Sequence, residues 1–283
     1  SEERERILDI VEQIIELTPE QREDFSNVLK KTKLENIIET MKFIEGRYSK
    51  LDILKKIVFD LGKFANERDN IQKIVENNYW LFGEQYNLAT ADKTMATALK
   101  EYNYILYGAK SPTTKLEHDD ENDRRMDIFM CNARKVESDS GIYIDENIIV
   151  ELKAPRIPLS NTVYRQIEDY MLFIRKQPSF NSIRRQWKFI AVCSVIDDDV
   201  KVRYDAFKEK GKPGLVMQAD NYEIYALTWD DVFKSFELRH SFILDKLKMN
   251  REEIAKELFN NKTQNEKQMV SELTQKAISR TAN

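Results

Sequence analysis

Apolar residues recur every three or four positions through the first part of the chain. Ile7, Ile10, Val11, Ile14 and Ile15 fall on one helical face. Leu34, Ile37, Ile38 and Met41 form a second stripe, and Ile53, Leu54, Ile57, Val58 and Leu61 a third. Between the first two, Thr18-Pro19-Glu20-Gln21 has the Thr-x-x-Gln spacing of a capping box, with proline in the first turn. Residues 1–68 therefore read as an all-helical region suited to oligomerisation or partner contact. Residues 69–101 predict two more helices, broken around Gly83. Tyr102–Tyr107 is aromatic and β-branched and is expected as a strand, punctuated by Gly108 and Pro112.

Beyond an acidic loop, His118–Asp123, the period shortens. Met126–Cys131 and Ile142–Leu152 predict strands joined by a polar turn at Gly141. Ser160 then caps a helix to Lys176, with Val163, Ile167, Tyr170 and Ile174 as its stripe. Trp187–Ile196 is a near-continuous apolar run, as expected of a central strand. Residues 197–221 are polar and predict no regular element. Tyr222–Leu227 predicts a last strand, followed by a helix from Thr228 or Asp230 to about Met249. Residues 251–283 read as a charged helical tail, with Ile254, Leu258 and Leu273 as its few apolar anchors. The alternation of strand and helix implies an α/β domain over 69–250 with at least one parallel crossover.

Composition narrows the chemistry. Only 7 Gly and 6 Pro in 283 residues favour long helices over an all-β repeat. Two histidines, His118 and His240, leave no HExxH and little scope for a histidine-based triad, so proton chemistry falls to carboxylates, lysines or metal-bound water. Cys131 and Cys193 sit in apolar runs without a CxxC, which reads as buried free thiols in a reducing, cytoplasmic compartment. No run of 18 apolar residues and no signal peptide is present in this sequence, and its first residue, Ser1, suggests further sequence upstream. No P-loop occurs: Gly108-Ala-Lys-Ser lacks the upstream glycine.

The chemistry-bearing segment is Arg124-Arg125-Met126-Asp127-Ile128 followed, 24 residues after Asp127, by Glu151-Leu152-Lys153. On adjacent antiparallel strands the two acids meet at one end of the sheet. Strand alternation points Glu151 and Lys153 to one face and Leu152 into the core. Two carboxylates about 4 Å apart repel by roughly 4 kcal/mol at an effective dielectric of 20. Lys153 offsets part of that, and a hard divalent cation, Mg²⁺ or Mn²⁺, suits the remainder. Only one other [Asp/Glu]-x-Lys set exists, Asp199-Val200-Lys201, in a run of aspartates that reads as a solvated turn. A surface ion pair at a strand end is the plain alternative for Glu151 and Lys153. Gln166 and Tyr170, at i and i+4 on the next helix, share a face beside the acids.

The ExK pair, the preceding Asp127 and the Gln-x-x-x-Tyr helix together resemble the PD-(D/E)xK nuclease superfamily, although Met126 stands where proline is usual. Within it, ENNYWLFGEQY, RRMDIFM, VELKAPR and RQIEDY look like the Shedu anti-phage defence nucleases over roughly residues 70–235. The resemblance implies a restriction-endonuclease-like core, a mixed central sheet flanked by helices, and an Mg²⁺-dependent endonuclease (hydrolase) acting on DNA in a bacterial host. It also implies a homo-oligomer and a possible defence-system partner protein. Asp127 and Glu151 become metal ligands, with Glu84 preferred to Glu76 as a third; Lys153 and Gln166 join them as catalytic residues. The alternative is a catalytically silent nuclease fold that binds DNA or serves as a scaffold. Residues 151–220 carry a local charge of +4 in a chain of −4. Arg156, Arg165, Tyr170, Arg184, Arg185 and Lys188 are the expected DNA contacts there.

Overall fold

Alternating side chains along the strands build two cores on opposite faces of one sheet. The computed structural model describes residues 2–107, 116, 125–135, 143–207, 211–247 and 264–281. The acidic loop 118–123, the Gly141 turn, Gly108, Pro112, Ile254 and Leu258 lie outside the described residues. The helices are α1 (Glu2–Ile15), α2 (Pro19–Lys31), α3 (Leu34–Lys55), α4 (Lys73–Asn77), α5 (Met95–Tyr107), α6 (Asn161–Arg175), α7 (Asp198–Asp205), α8 (Trp229–Leu247) and α9 (Gln264–Thr281). The strands are β1 (Asn87–Thr94), β2 (Arg125–Lys135), β3 (Tyr143–Leu152), β4 (Arg185–Cys193), β5 (Leu215–Ala219) and β6 (Tyr222–Thr228). They form one six-stranded sheet in the order β1-β2-β3-β4-β6-β5. β1, β2 and β3 pair antiparallel, β3, β4 and β6 pair parallel, and β5 closes antiparallel on β6. The protein is thus α/β, a mixed sheet flanked by helices and preceded by a helical region. The expected parallel crossover is β3–α6–β4.

On one face Phe129, Cys131, Ile149, Trp187, Phe189 and Ile224 pack against α5 and α6. On the other, Ile128, Met130, Ile148, Val150, Leu152, Ile190 and Val192 pack against α3 and α8. Both cysteines are buried free thiols, as their apolar neighbours implied. Among the described residues, no helix is long and apolar enough to cross a membrane.

Three stretches differ from the sequence reading. Tyr102 belongs to helix α5, not to a strand: Met95, Ala98, Leu99 and Tyr102 recur at helical spacing and are fully buried, a pattern wider than the hexamer that suggested a strand. Asn87–Thr94, read as helix, is the edge strand β1; its Asn-Leu-Ala-Thr-Ala-Asp-Lys-Thr composition carries no alternation, and only pairing with β2 defines it. The polar stretch 197–221 holds α7 and β5.

The helical region does not stop at 68 in packing terms. α1 and α2 bury no residue, whereas Ile44, Leu51, Leu54, Ile57 and Ala65 join the same core as the sheet. At the other end Leu273 of α9 is buried in that core, so this part of the tail packs on its own chain. The Thr18 capping box forms, with the Gln21 backbone N–H on Thr18 Oγ1 at 3.2 Å and the Thr18 backbone N–H on Gln21 Oε1 at 2.9 Å.

Removing residues 1–33 is therefore expected to leave the thermal midpoint unchanged, while removing 1–68 strips one face of the sheet and abolishes cooperative unfolding. Melting curves of the two truncations followed by circular dichroism check this; equal midpoints would show that α3 is not part of the core.

Candidate active site

Register places the acids. The β2–β3 ladder runs to Ile128 opposite Val150, so one step further Asp127 faces Glu151. There the backbone pairing gives way to side chains. The Leu152 N–H donates to Asp127 Oδ2 at 2.6 Å, and Gln72 Nε2 donates to the Asp127 carbonyl at 3.3 Å. β3 continues alongside β4, with the Lys153 N–H on the Val192 carbonyl at 2.9 Å. Lys153 Nζ reaches Glu151 Oε1 at 2.6 Å, so the two side chains share a face while Leu152 enters the opposite core.

Helix α6 crosses directly over this point. Gln166 Nε2 donates to Glu151 Oε1 at 2.6 Å and lies 3.1 Å from Tyr170 Oη. The Tyr170 hydroxyl donates to the Arg125 carbonyl at 2.7 Å and also lies 3.2 Å from Glu151 Oε2. Glu151 is 3% exposed and Lys153 9%. A carboxylate that deep needs these partners, because an unpaired buried charge is costly.

A third carboxylate enters from a short π-helical segment, Glu67–Gln72, capped by Asn66. Glu67 Oε2 accepts the Ala154 N–H at 2.9 Å, and Arg156 Nη1 donates to the Ala65 carbonyl at 3.2 Å. Gly62 permits the approach: a Cβ there would meet Pro155 Cβ at 2.9 Å and the Val58 carbonyl oxygen at 2.4 Å.

Electrostatically the cluster is overloaded with negative charge. Burial, and then Glu151, push the Asp127 carboxyl up to about 8, although the Leu152 N–H pulls the other way. Burial also raises Glu151, against the pull of Lys153 and Tyr170. Burial draws the Lys153 ammonium down, but Glu151, Glu67 and Asp127 together outweigh it and the net shift is upward. Burial and the facing Glu151 hold the Tyr170 hydroxyl protonated well above the ordinary phenol range.

Among the expected site residues, Asp127, Glu151, Lys153, Gln166 and Tyr170 come together. Glu84 does not join them: it is bound to Arg47 and lies 3.0 Å from His240 Nε2. The third acid is Glu67, which sequence reasoning missed because Asn66-Glu67-Arg68-Asp69 reads as a solvated charge run. Tyr170 is fully buried and serves Glu151, which removes it from the expected DNA contacts. Arg185 is also tied down, to Asp145 at 3.4 Å and to the Ser179 carbonyl. In the parallel register Arg185 faces Asp145, whereas Ala191 faces Glu151. Six strand residues separate the two levels, about 20 Å at roughly 3.3 Å per residue. Arg184 belongs to that far end as well, and Lys188, opposite Ile148, stands midway between the two levels. Arg165 is exposed on α6 beside Gln166, and Arg156 is exposed just past Lys153.

Among the described residues, no three His, Cys, Asp or Glu side chains converge on one point as a metal-holding group. The donor chemistry still fits a hard cation: the Asp127, Glu151 and Glu67 carboxylates against the one Lys153 ammonium leave an excess of two negative charges when all are ionised. Comparison with protein-family models, curated proteins and solved structures gave no match.

The raised Asp127 has a signed consequence for stability. The folded state holds this proton more tightly than the unfolded chain, so stability is greatest below the unfolded value near 3.8 and falls as pH rises towards about 8. Asp127→Asn mimics the protonated form and keeps an acceptor for the Leu152 N–H. The variant is expected to be more stable than the wild type by on the order of a few kcal/mol at pH 8, the gap closing towards pH 4. Urea melts across that range measure it, and a gap that is absent or reversed at pH 8 would show that Asp127 is not held against ionisation.

Proposed function

We propose that the protein is a metal-dependent DNA endonuclease of the PD-(D/E)xK type, most like the Shedu defence nucleases. The observation that carries the reading is the convergence of Lys153, Gln166 and Tyr170 on a buried Glu151, beside Asp127, at the end of a mixed sheet. Asp127 and Glu151 would hold Mg²⁺ or Mn²⁺, with Glu67 in reach as a third carboxylate. When bound, such a cation acidifies a water and draws charge from a phosphoryl oxygen. Lys153 holds an ammonium at the reacting end of Glu151, where it orients the attacking water and offsets charge developing on phosphate. Gln166 fixes the Glu151 carboxylate, and Tyr170 anchors it to the backbone of β2. Arg156 and Arg165, both exposed near the acids, are the favoured phosphate contacts.

The same reading includes a bacterial anti-phage role in the cytoplasm. It also includes self-association or a protein partner, supported by α1, whose Ile7, Ile10 and Ile15 are more than half exposed. A 14-residue helix with no buried residue is marginal in water and gains stability when that stripe is covered.

The silent alternative, a nuclease fold that only binds DNA or a partner, is favoured by one observation: among the described residues no three ligands converge as they stand. Plasmid incubated with and without Mg²⁺ separates the two. Metal-dependent nicks or cuts support the enzyme, and a mobility shift without cutting supports the binding protein.

If the enzyme reading holds, Asp127→Ala and Glu151→Gln abolish cutting although both variants still fold, as a single cooperative melting transition shows. Gln166→Ala, which leaves Glu151 in place without its orienting partner, slows cutting by about 10–100-fold. Lys153→Ala loses rate at saturating DNA while metal-free affinity is retained, because its contribution is made mainly in the transition state. A Lys153→Ala protein that cuts at the normal rate but binds weakly would reduce Lys153 to a grip.

A further inference from the structure

A cleft of about 930 Å³ opens between the Lys63–Lys73 segment and helix α9, and none of Asp127, Glu151 and Glu67 lines it. Four cations line it, Lys63, Lys73, Arg156 and Lys276, against two acids, Asp69 and Glu272. Both acids have local partners. Asp69 lies 3.8 Å from Lys73, and Glu272 accepts from Gln268 at 3.0 Å. Lys63 and Lys276 are exposed on opposite walls and pair with no described residue. A positive cleft in a chain of net −4 is a local feature with a local cause.

The wall between the lysines carries the rest of a recognition surface. Phe64 lines the cleft half-buried, its far side packed on the core, which makes it a fixed aromatic face. Asn70 also lines it; its Oδ1 accepts the Asn66 N–H at 2.7 Å, which directs its amide NH₂ group away from that bond. Ammonium groups for phosphate, an aromatic face for a base and an amide for base or sugar edges are the three elements of nucleotide recognition.

We propose that this cleft binds phosphorylated nucleoside units, as part of a single-stranded nucleic acid or as a free nucleotide. Lys63 and Lys276 take the phosphates from the two walls, and Phe64 stacks on a base. The site is separate from the carboxylates and stands whether or not they cut DNA.

The test uses the full chain without metal and follows anisotropy of fluorescein-labelled oligo(dT) at several salt concentrations. Lys63→Ala/Lys276→Ala is expected to weaken binding by about tenfold or more and to flatten the log–log salt slope by about 1.4, at about 0.7 per phosphate contact on a single strand. Phe64→Leu, which keeps the core side filled, is expected to weaken binding with the slope unchanged. ATP is titrated in parallel as competitor, with inorganic phosphate as control. Tight ATP binding that the lysine double variant also loses identifies a free nucleotide as the ligand, and oligonucleotide binding indifferent to ATP identifies the nucleic-acid strand. Lys234→Ala, on α8, paired with Asp230 and outside the cleft lining, is expected to behave as the wild type. Wild-type affinity and slope in the lysine double variant, or an equal loss in Lys234→Ala, overturns the proposal. Plasmid cutting by the same preparations keeps the two ideas apart. A protein that binds through the cleft and never cuts sinks the nuclease reading alone, and one that cuts while its lysine variants bind normally sinks the cleft alone.

Discussion

Everything at the end of β2 and β3 answers to one constraint, a carboxylate that is 3% exposed beside a second carboxylate. Two such groups repel, and neither has enough water to spread its charge. Four devices restrain them: the Lys153 ammonium, the Gln166 amide, the Tyr170 hydroxyl and the Leu152 N–H. They are insufficient to let every acid ionise at ordinary values, which is why the Asp127 carboxyl sits near 8. Stability alone would replace such a cluster with apolar side chains, as buried ion pairs commonly permit. Its presence makes sense if the excess negative charge has a use, and acids perturbed by burial and by a specific charge partner mark a candidate functional site.

The fold delivers these groups through ordinary rules. Antiparallel register sets Asp127 against Glu151, and two-residue alternation returns Lys153 to the face of Glu151. Parallel pairing of β3 with β4 demands a crossover, and that crossover is α6. Its i, i+4 spacing sets Gln166 and Tyr170 one turn apart over the same carboxylate. The helix is held in place by Val163, Ile167 and Ile174 in the core. The polar contacts are therefore a consequence of apolar packing, and their geometry is as rigid as that core.

What the sequence made legible follows from the range of its signals. Period-2 and period-3.6 patterns are local, so β3, β4, β6, α6 and the Glu151–Lys153 pair could be read directly. β1 could not, because an edge strand with a polar sequence acquires its identity from its neighbour β2. α5 was misread at Tyr102 because aromatic residues suit a buried helix as well as a strand. Glu67 was invisible for a different reason. A carboxylate in a run of charges looks solvated, and only the approach of Gly62 to Pro155 brings its segment against Ala154. Glu84 was the more conspicuous acid because it sits among aromatic residues, and that environment belongs to its pairing with Arg47 and His240.

The wall that supplies Glu67 has a second face. Residues 65–67 are stitched to the loop after β3 at two points, Glu67 to the Ala154 N–H and Arg156 to the Ala65 carbonyl. Both donors come from the loop after β3 and both acceptors from residues 65–67, so the two segments are tied together twice. The cleft is lined by Asn66 and Arg156 of these two segments and by none of Asp127, Glu151 and Glu67. One short piece of backbone thus serves both places: Glu67 caps the Ala154 N–H beside the acids, and Asn66, the residue before it, lines the cleft.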